Sequence, residues 1–108
     1  MEELILPYED ENVDSNFHLY VLRVKDNPRF DRYDLFTYMQ SKNYQPMVHY
    51  IPVHLLGYYK KRFGYKRSDF PVSEHFYDRA VSIPLYPSLT DTEVEKVVAD
   101  ITNYVNSR

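Results

Sequence analysis

From Phe17 to Val24 the chain is rich in aromatic and β-branched residues and apolar on both alternating faces, the pattern of a strand covered on both sides. A helix signal follows. Asn27 can accept a free amide at a helix start, and Pro28 lacks the amide that would be unsatisfied there. The spacing predicts a helix running to about Lys42, with Leu35, Phe36 and Met39 on one side and Asn43 as a left-handed terminator. Gln45 to Tyr50 reads as a brief strand that ends as Pro52 turns the chain. Leu55 to Phe63 reads as a short helix carrying Tyr58 and Tyr59 and closed by Gly64. Phe70-Pro71-Val72-Ser73-Glu74 opens another helix through Ala80, with Val72, Phe76 and Ala80 at fourfold spacing. Ile83 to Tyr86 reads as a short strand, which Pro84 restricts to a sheet edge or a strand start.

The strongest pattern comes last. Thr90-Asp91-Thr92-Glu93 has the form of a capping box, in which Thr90 and Glu93 reciprocally satisfy free amides at a helix start. Val94, Val97, Val98, Ile101 and Val105 then keep the three-and-four spacing of one buried helical face. The order is β-α-β-(α)-α-β-α, an α+β fold with a small, mainly antiparallel sheet covered by helices. Residues 1–16 show no sustained period and carry the acidic run Glu9, Asp10, Glu11 and Asp14 near Pro7. They read as a lead-in or linker, with the folded domain over 17–108; Leu4, Ile5 and Leu6 either begin a strand or mark a point of truncation.

Composition narrows the function classes. A chain of 108 residues suits one domain with one core, and 44% apolar with 27% charged residues is ordinary globular usage. A net charge of −3 supplies no basic footprint, which sets nucleic-acid binding aside. The apolar stretches fall far short of the roughly 20 residues that cross a bilayer, so no membrane span and a cytoplasmic location are expected. Without cysteine there is no disulfide framework, thiolate zinc site or cysteine nucleophile. The unusual feature is 12 Tyr beside 6 Phe, more rings than a domain this small can enclose, so either an aromatic docking patch or scattered surface tyrosines must result.

The densest group of candidate chemistry is His49-Tyr50-Ile51-Pro52-Val53-His54. It follows a predicted strand, and it combines two imidazoles, a ring that can stack on a ligand and a rigid proline. Ordinary loop packing is the competing reading. Metal binding fails on spacing: His49 and His54 are five apart where a helical zinc pair needs four, and Pro52 intervenes. Gly57 and Gly64 flank no serine nucleophile and form no phosphate cradle. Lys60, Lys61, Arg62, Lys66 and Arg67 make a small basic cluster that either touches a phosphate or is a solvated face.

Several ordered motifs resemble one family. Val48-His49-Tyr50-Ile51-Pro52-Val53-His54-Leu55 is similar to the "VHYIPVHL" segment of the DegT/DnrJ/EryC1/StrS sugar aminotransferases, which have the aspartate-aminotransferase fold type. Phe70-Pro71-Val72-Ser73-Glu74 resembles the family's "FPVAE", and Ser82-Ile83-Pro84-Leu85-Tyr86-Pro87 with Leu89-Thr90-Asp91 resembles its "SLPLFPGLTD". Asn43-Tyr44-Gln45-Pro46 and Ser88 depart from the usual glycine-containing forms. The resemblance implies the C-terminal small domain of a pyridoxal-phosphate (PLP) enzyme that moves an amino group, typically from glutamate, onto a nucleotide-linked keto-sugar. It also implies a separate large PLP-binding domain as partner, a homodimeric parent enzyme, and no cofactor-binding or catalytic residue in this chain, since no lysine here matches the Schiff-base motif. It places His49, Tyr50 and His54 beside the nucleotide-sugar. The alternative is a free-standing, non-catalytic module that binds a nucleotide-sugar or a partner subunit.

Overall fold

The strand expected within Phe17 to Val24 is the middle strand of a three-stranded antiparallel sheet in the computed structural model, which describes residues 2–108. It comprises β1 (Leu4–Ile5), β2 (Tyr20–Val24) and β3 (Ala80–Ile83) in the order β1-β2-β3. Leu4 lies opposite Val24, and Leu22 opposite Val81. Because side chains alternate along a strand, these four share one face, while Val21, Arg23, Ala80 and Ser82 share the other. The first face packs on α1 (Arg32–Ser41) and α4 (Asp91–Asn106). There Leu35 and Met39 of α1 meet Val97, Ile101, Tyr104 and Val105 of α4 in the core. Leu35, Met39 and Val81 are fully buried, each contributing about 1.5–3 kcal/mol by removal of its side chain from water. Phe30 and Tyr104 close the core edge to face at 5.3 Å.

The second face carries α3 (Pro71–Arg79), and beside it a single 3-10 turn at Val53–Leu55 packs with α2 (Gly57–Phe63). Here the guanidinium of Arg23 lies 5.4 Å from the Phe76 ring centroid. The expected terminators are in place, with Asn43 at φ 66° and Gly64 at φ 70°. Gly64 thereby ends α2 in the left-handed region that glycine enters without a Cβ clash.

Other expectations need correction. The first helix begins at Arg32, not beside Asn27-Pro28, because the Asn27 side chain accepts the amides of Arg29 and Phe30 at 2.9 and 3.1 Å and makes a turn instead. Asp31 is the true N-cap, exchanging hydrogen bonds with Asp34 across a capping box. Gln45 to Tyr50 is no strand but a single bridge, Met47 to Ser82, since Pro46 has no amide with which to extend the ladder. The expected strand at Ile83 to Tyr86 lies earlier, at Ala80–Ile83, and stops where Pro84 would have to donate. Val72 and Phe76 of α3 are exposed, and the buried residue of that helix is Glu74. Val94 and Val98 are likewise exposed on α4. Thr90 caps α4 by accepting from the Glu93 amide at 3.2 Å, but the Glu93 carboxylate turns away to accept from the Tyr86 hydroxyl at 2.8 Å. Within residues 1–16, Leu4 and Ile5 do form a strand, and Leu4 belongs to the core.

Candidate functional site

Beyond the Met47 bridge the chain crosses the second face of the sheet and brings His49 onto β3. Its Nδ1 lies 2.8 Å from Ser82 Oγ. The Tyr50 ring meets the His49 ring edge to face at 4.7 Å and is 70% exposed. Pro52 caps the 3-10 turn, which swings His54 in the opposite direction, into the protein. His54 is 6% exposed, and its Nε2 lies 3.0 Å from Glu74 Oε2.

Glu74 ties three segments together. It sits in the first turn of α3 and reaches back over the helix start, a position that favours negative charge. Oε1 accepts from the Ser68 amide at 2.7 Å, and Oε2 from the Phe70 amide at 3.0 Å as well as facing His54. The Ser68 amide, then the Phe70 amide and His54, hold this carboxyl below the ordinary glutamate value. Phe70 covers one side of the His54 ring at 4.7 Å, and Tyr65 meets it edge to face at 6.4 Å. Phe63 and Tyr59 continue the series, at 5.7 Å from Tyr65 and 6.2 Å from Phe63 respectively.

These rings wall a groove of about 720 Å³ lined by His49, Tyr50, His54, Tyr59, Phe63 and Phe70, among others. The three predicted site residues thus converge on one groove in unlike states. Tyr50 projects freely, His49 is half-buried with Nδ1 engaged, and His54 lines the groove with Nε2 committed to Glu74. A tyrosine and phenylalanine wall with few polar groups suits the flat or apolar face of a ligand, oriented by the groups at its edge.

A second cleft, of about 480 Å³, lies on the other side of His49 and includes Tyr44, Tyr86, Glu93 and Lys96. Within it the Tyr44 hydroxyl donates to Asp100 at 2.7 Å, and Lys96 Nζ donates to Asp100 at 2.9 Å and to Tyr44 at 3.2 Å. Burial and then the Asp100 carboxylate push the Tyr44 hydroxyl above its ordinary value, while the Tyr44 hydroxyl and Lys96 hold Asp100 below its own. Sequence reasoning missed this network. Its only linear trace is the fourfold spacing of Lys96 and Asp100. The basic cluster is a solvated face, with Lys60, Lys61, Arg62, Lys66 and Arg67 all exposed and Arg67 paired with Asp78. Among the described residues no group of three or more His, Cys, Asp or Glu side chains could hold a metal ion. None of the described helices is long and apolar enough to cross a membrane.

Residues 1–102 match the model of the DegT/DnrJ/EryC1/StrS aminotransferase family. The chain belongs to this family. It is 38% identical over 104 residues to the spore coat polysaccharide biosynthesis protein SpsC of Bacillus subtilis, covering 94% of this chain and 27% of SpsC. It is 34% identical over 89 residues to the dTDP-3-amino-3,6-dideoxy-alpha-D-galactopyranose transaminase of Aneurinibacillus thermoaerophilus, covering 82% of this chain and 22% of that protein. Among solved structures, Spr1654 of Streptococcus pneumoniae, a proposed sugar aminotransferase, superposes with a TM-score of 0.80 at 26% identity over 92% of this chain and 25% of its own. This family member therefore spans about a quarter of the length of these relatives. The expected α+β architecture is the observed one, and it is shared with aminotransferases.

The family depends on PLP, and Spr1654 has been seen in a PLP form. Neither of these two clefts by itself fits that cofactor. The aromatic groove has no lysine among its lining residues, and the Lys96 amine of the second cleft is already held by Asp100 and Tyr44. A PLP site needs a lysine free to form the Schiff base and an acidic partner for the pyridine nitrogen.

Proposed function

We propose that the chain is the C-terminal small-domain part of a PLP-dependent aminotransferase acting on a nucleotide-linked keto-sugar, in the cytoplasmic synthesis of a polysaccharide or other glycan. The observation that carries this reading is the convergence of His49, Tyr50 and His54 on one aromatic groove in a member of a sugar-aminotransferase family. In this reading Tyr50 and His49 contact the nucleotide-sugar, and His54 forms the floor against which it rests. Schiff-base chemistry belongs to a large domain that packs beside this one, within a homodimer, so the 108 residues alone do not transaminate. The names of the relatives in polysaccharide and amino-sugar synthesis support the substrate class.

The test is a titration of the chain with dTDP- and UDP-sugars, following the side-chain resonances of His49 and Tyr50. Saturable shifts at these two residues, lost in Tyr50→Ala, are expected. Unchanged spectra at millimolar ligand would remove the groove from the binding role. Incubation of the chain with PLP is expected to leave the cofactor's absorbance unchanged, and a stable Schiff-base band would overturn the assignment of the chemistry elsewhere.

A further inference from the structure

We propose that Ser82 fixes the proton of the His49 ring on Nε2, so that His49 presents a hydrogen-bond donor to its ligand. Ser82 is the positioning residue. Its backbone is pinned, with its amide donating to the Met47 carbonyl at 2.7 Å and its carbonyl accepting from the Met47 amide at 3.2 Å. On its other side it lies opposite Val21 in the sheet. Ser82 is 5% exposed, and the hydrogen bond its hydroxyl makes among the described residues is the one to His49 Nδ1 at 2.8 Å.

A neutral imidazole carries one proton, and a serine hydroxyl has one to give. If the ring proton sat on Nδ1, Ser82 Oγ would accept it, and the serine proton would be left without an acceptor in a buried place. A buried donor left unmade costs more than an average hydrogen bond contributes. If the hydroxyl donates to Nδ1, both groups are satisfied at once and the ring proton must sit on Nε2. Nε2 has no hydrogen-bond partner among the described residues, and His49 lines both the aromatic groove and the second cleft. The group it meets must then offer an acceptor oxygen, such as a sugar hydroxyl, a carbonyl or a phosphate, while an ammonium or amide donor is turned away.

The identity of that ligand rests on the function proposed above, but the proton's position does not. Long-range proton–nitrogen spectra of the histidines of the full chain, taken at alkaline pH, read it without any ligand. His49 is expected to show a protonated Nε2 and an acceptor-type Nδ1. In Ser82→Ala the Nδ1 resonance is expected to move toward the averaged position of two exchanging tautomers, and Ser82→Thr, which keeps the hydroxyl, is expected to restore it. A wild-type ring protonated on Nδ1, or a Ser82→Ala spectrum identical to wild type, would overturn the inference. Should Ser82→Ala fail to fold, Ser82→Cys, which keeps the volume but offers only a weak donor, takes its place, and an unmoved Nδ1 resonance there overturns the inference. A failed sugar titration with a protonated Nε2 would sink the substrate reading and leave this one standing.

Discussion

Replacing His54 by alanine separates a residue that holds the groove together from one that merely faces a ligand. The ring is 6% exposed, so its loss empties a site bounded by Phe70 and Tyr65, and it removes the Nε2 partner of Glu74. Glu74 keeps two backbone donors, Ser68 and Phe70, so its charge is not orphaned. The expected loss from removing His54 is therefore at least that of one buried hydrogen bond, about 1–3 kcal/mol, with the emptied ring site adding to it. A domain of roughly this length shifts its thermal midpoint by about 4–8 °C per kcal/mol, which places the drop at roughly 4–24 °C or more. Circular dichroism melts measure it, and amide exchange localises it, because the Ser68 and Phe70 amides are the donors to Glu74 and should lose protection first. His54→Gln, whose side-chain amide can still donate toward Glu74, should recover part of the loss. Tyr50→Ala, at a 70% exposed position, should stay within about 0.5 kcal/mol of wild type. A His54→Ala chain with an unchanged midpoint and unchanged exchange at Ser68 and Phe70 would refute the role assigned to this ring.

Three further predictions concern the scaffold. Leu35→Ala, at a fully buried position between the sheet and α4, should cost about 3–5 kcal/mol in urea denaturation, with a loss below 1 kcal/mol contradicting the packing described. Thr90→Ala should cost about 1 kcal/mol by the same measurement, since Thr90 Oγ1 accepts from the Glu93 amide, and Thr90→Ser should recover most of it. Acid should destabilise the chain through Glu74 and Asp100, both held below their ordinary values. A carboxyl with a lowered folded value stabilises the fold above its unfolded value, and that stability is lost as pH falls through the folded one. A steep decline below about pH 4 is therefore expected from the carboxylate range, and Glu74→Gln or Asp100→Asn should flatten it; an acid limb unaltered in both variants would contradict the assignment.

What could be read from the sequence was whatever depends on local spacing. Val97, Ile101 and Val105 of α4 needed only a helical period, and Asn43 and Gly64 only their tolerance of left-handed backbone. Some misplaced elements turned on a partner distant in sequence, and others on a local side chain or proline that outweighed the pattern. Asn27-Pro28 looks like a helix start until the turn it makes is seen to deliver Phe30 to Tyr104. Met47 looks like strand and is held by a single bridge to Ser82, 35 residues away in sequence by their numbering. The fourfold spacing of Val72 and Phe76 marks the exposed side of α3, because Glu74, a charged residue that patterning assigns to solvent, is turned inward by amides and an imidazole from two other segments. The site segment was legible as a dense local cluster, His49 to His54. The opposite fates of its two imidazoles were not, since they are set by Ser82 and Glu74.

The sheet also divides the labour between its two faces, and the division can be checked. Leu22 and Val81 look toward α1 and α4, whereas Ser82, the next residue on β3, looks toward His49. Stability is concentrated on the first face and ligand geometry on the second, joined through a strand that backbone hydrogen bonds hold rigid. Leu35→Ala should then lower the unfolding free energy without moving the His49 nitrogen resonances under conditions where the chain is still folded. Ser82→Ala should do the reverse, moving those resonances while costing roughly the 1 kcal/mol of one hydrogen bond. If the core substitution shifted the His49 spectrum as far as the serine substitution does, β3 would be transmitting strain between the faces. His49 would then be positioned by the whole core, and not by the one hydroxyl behind it.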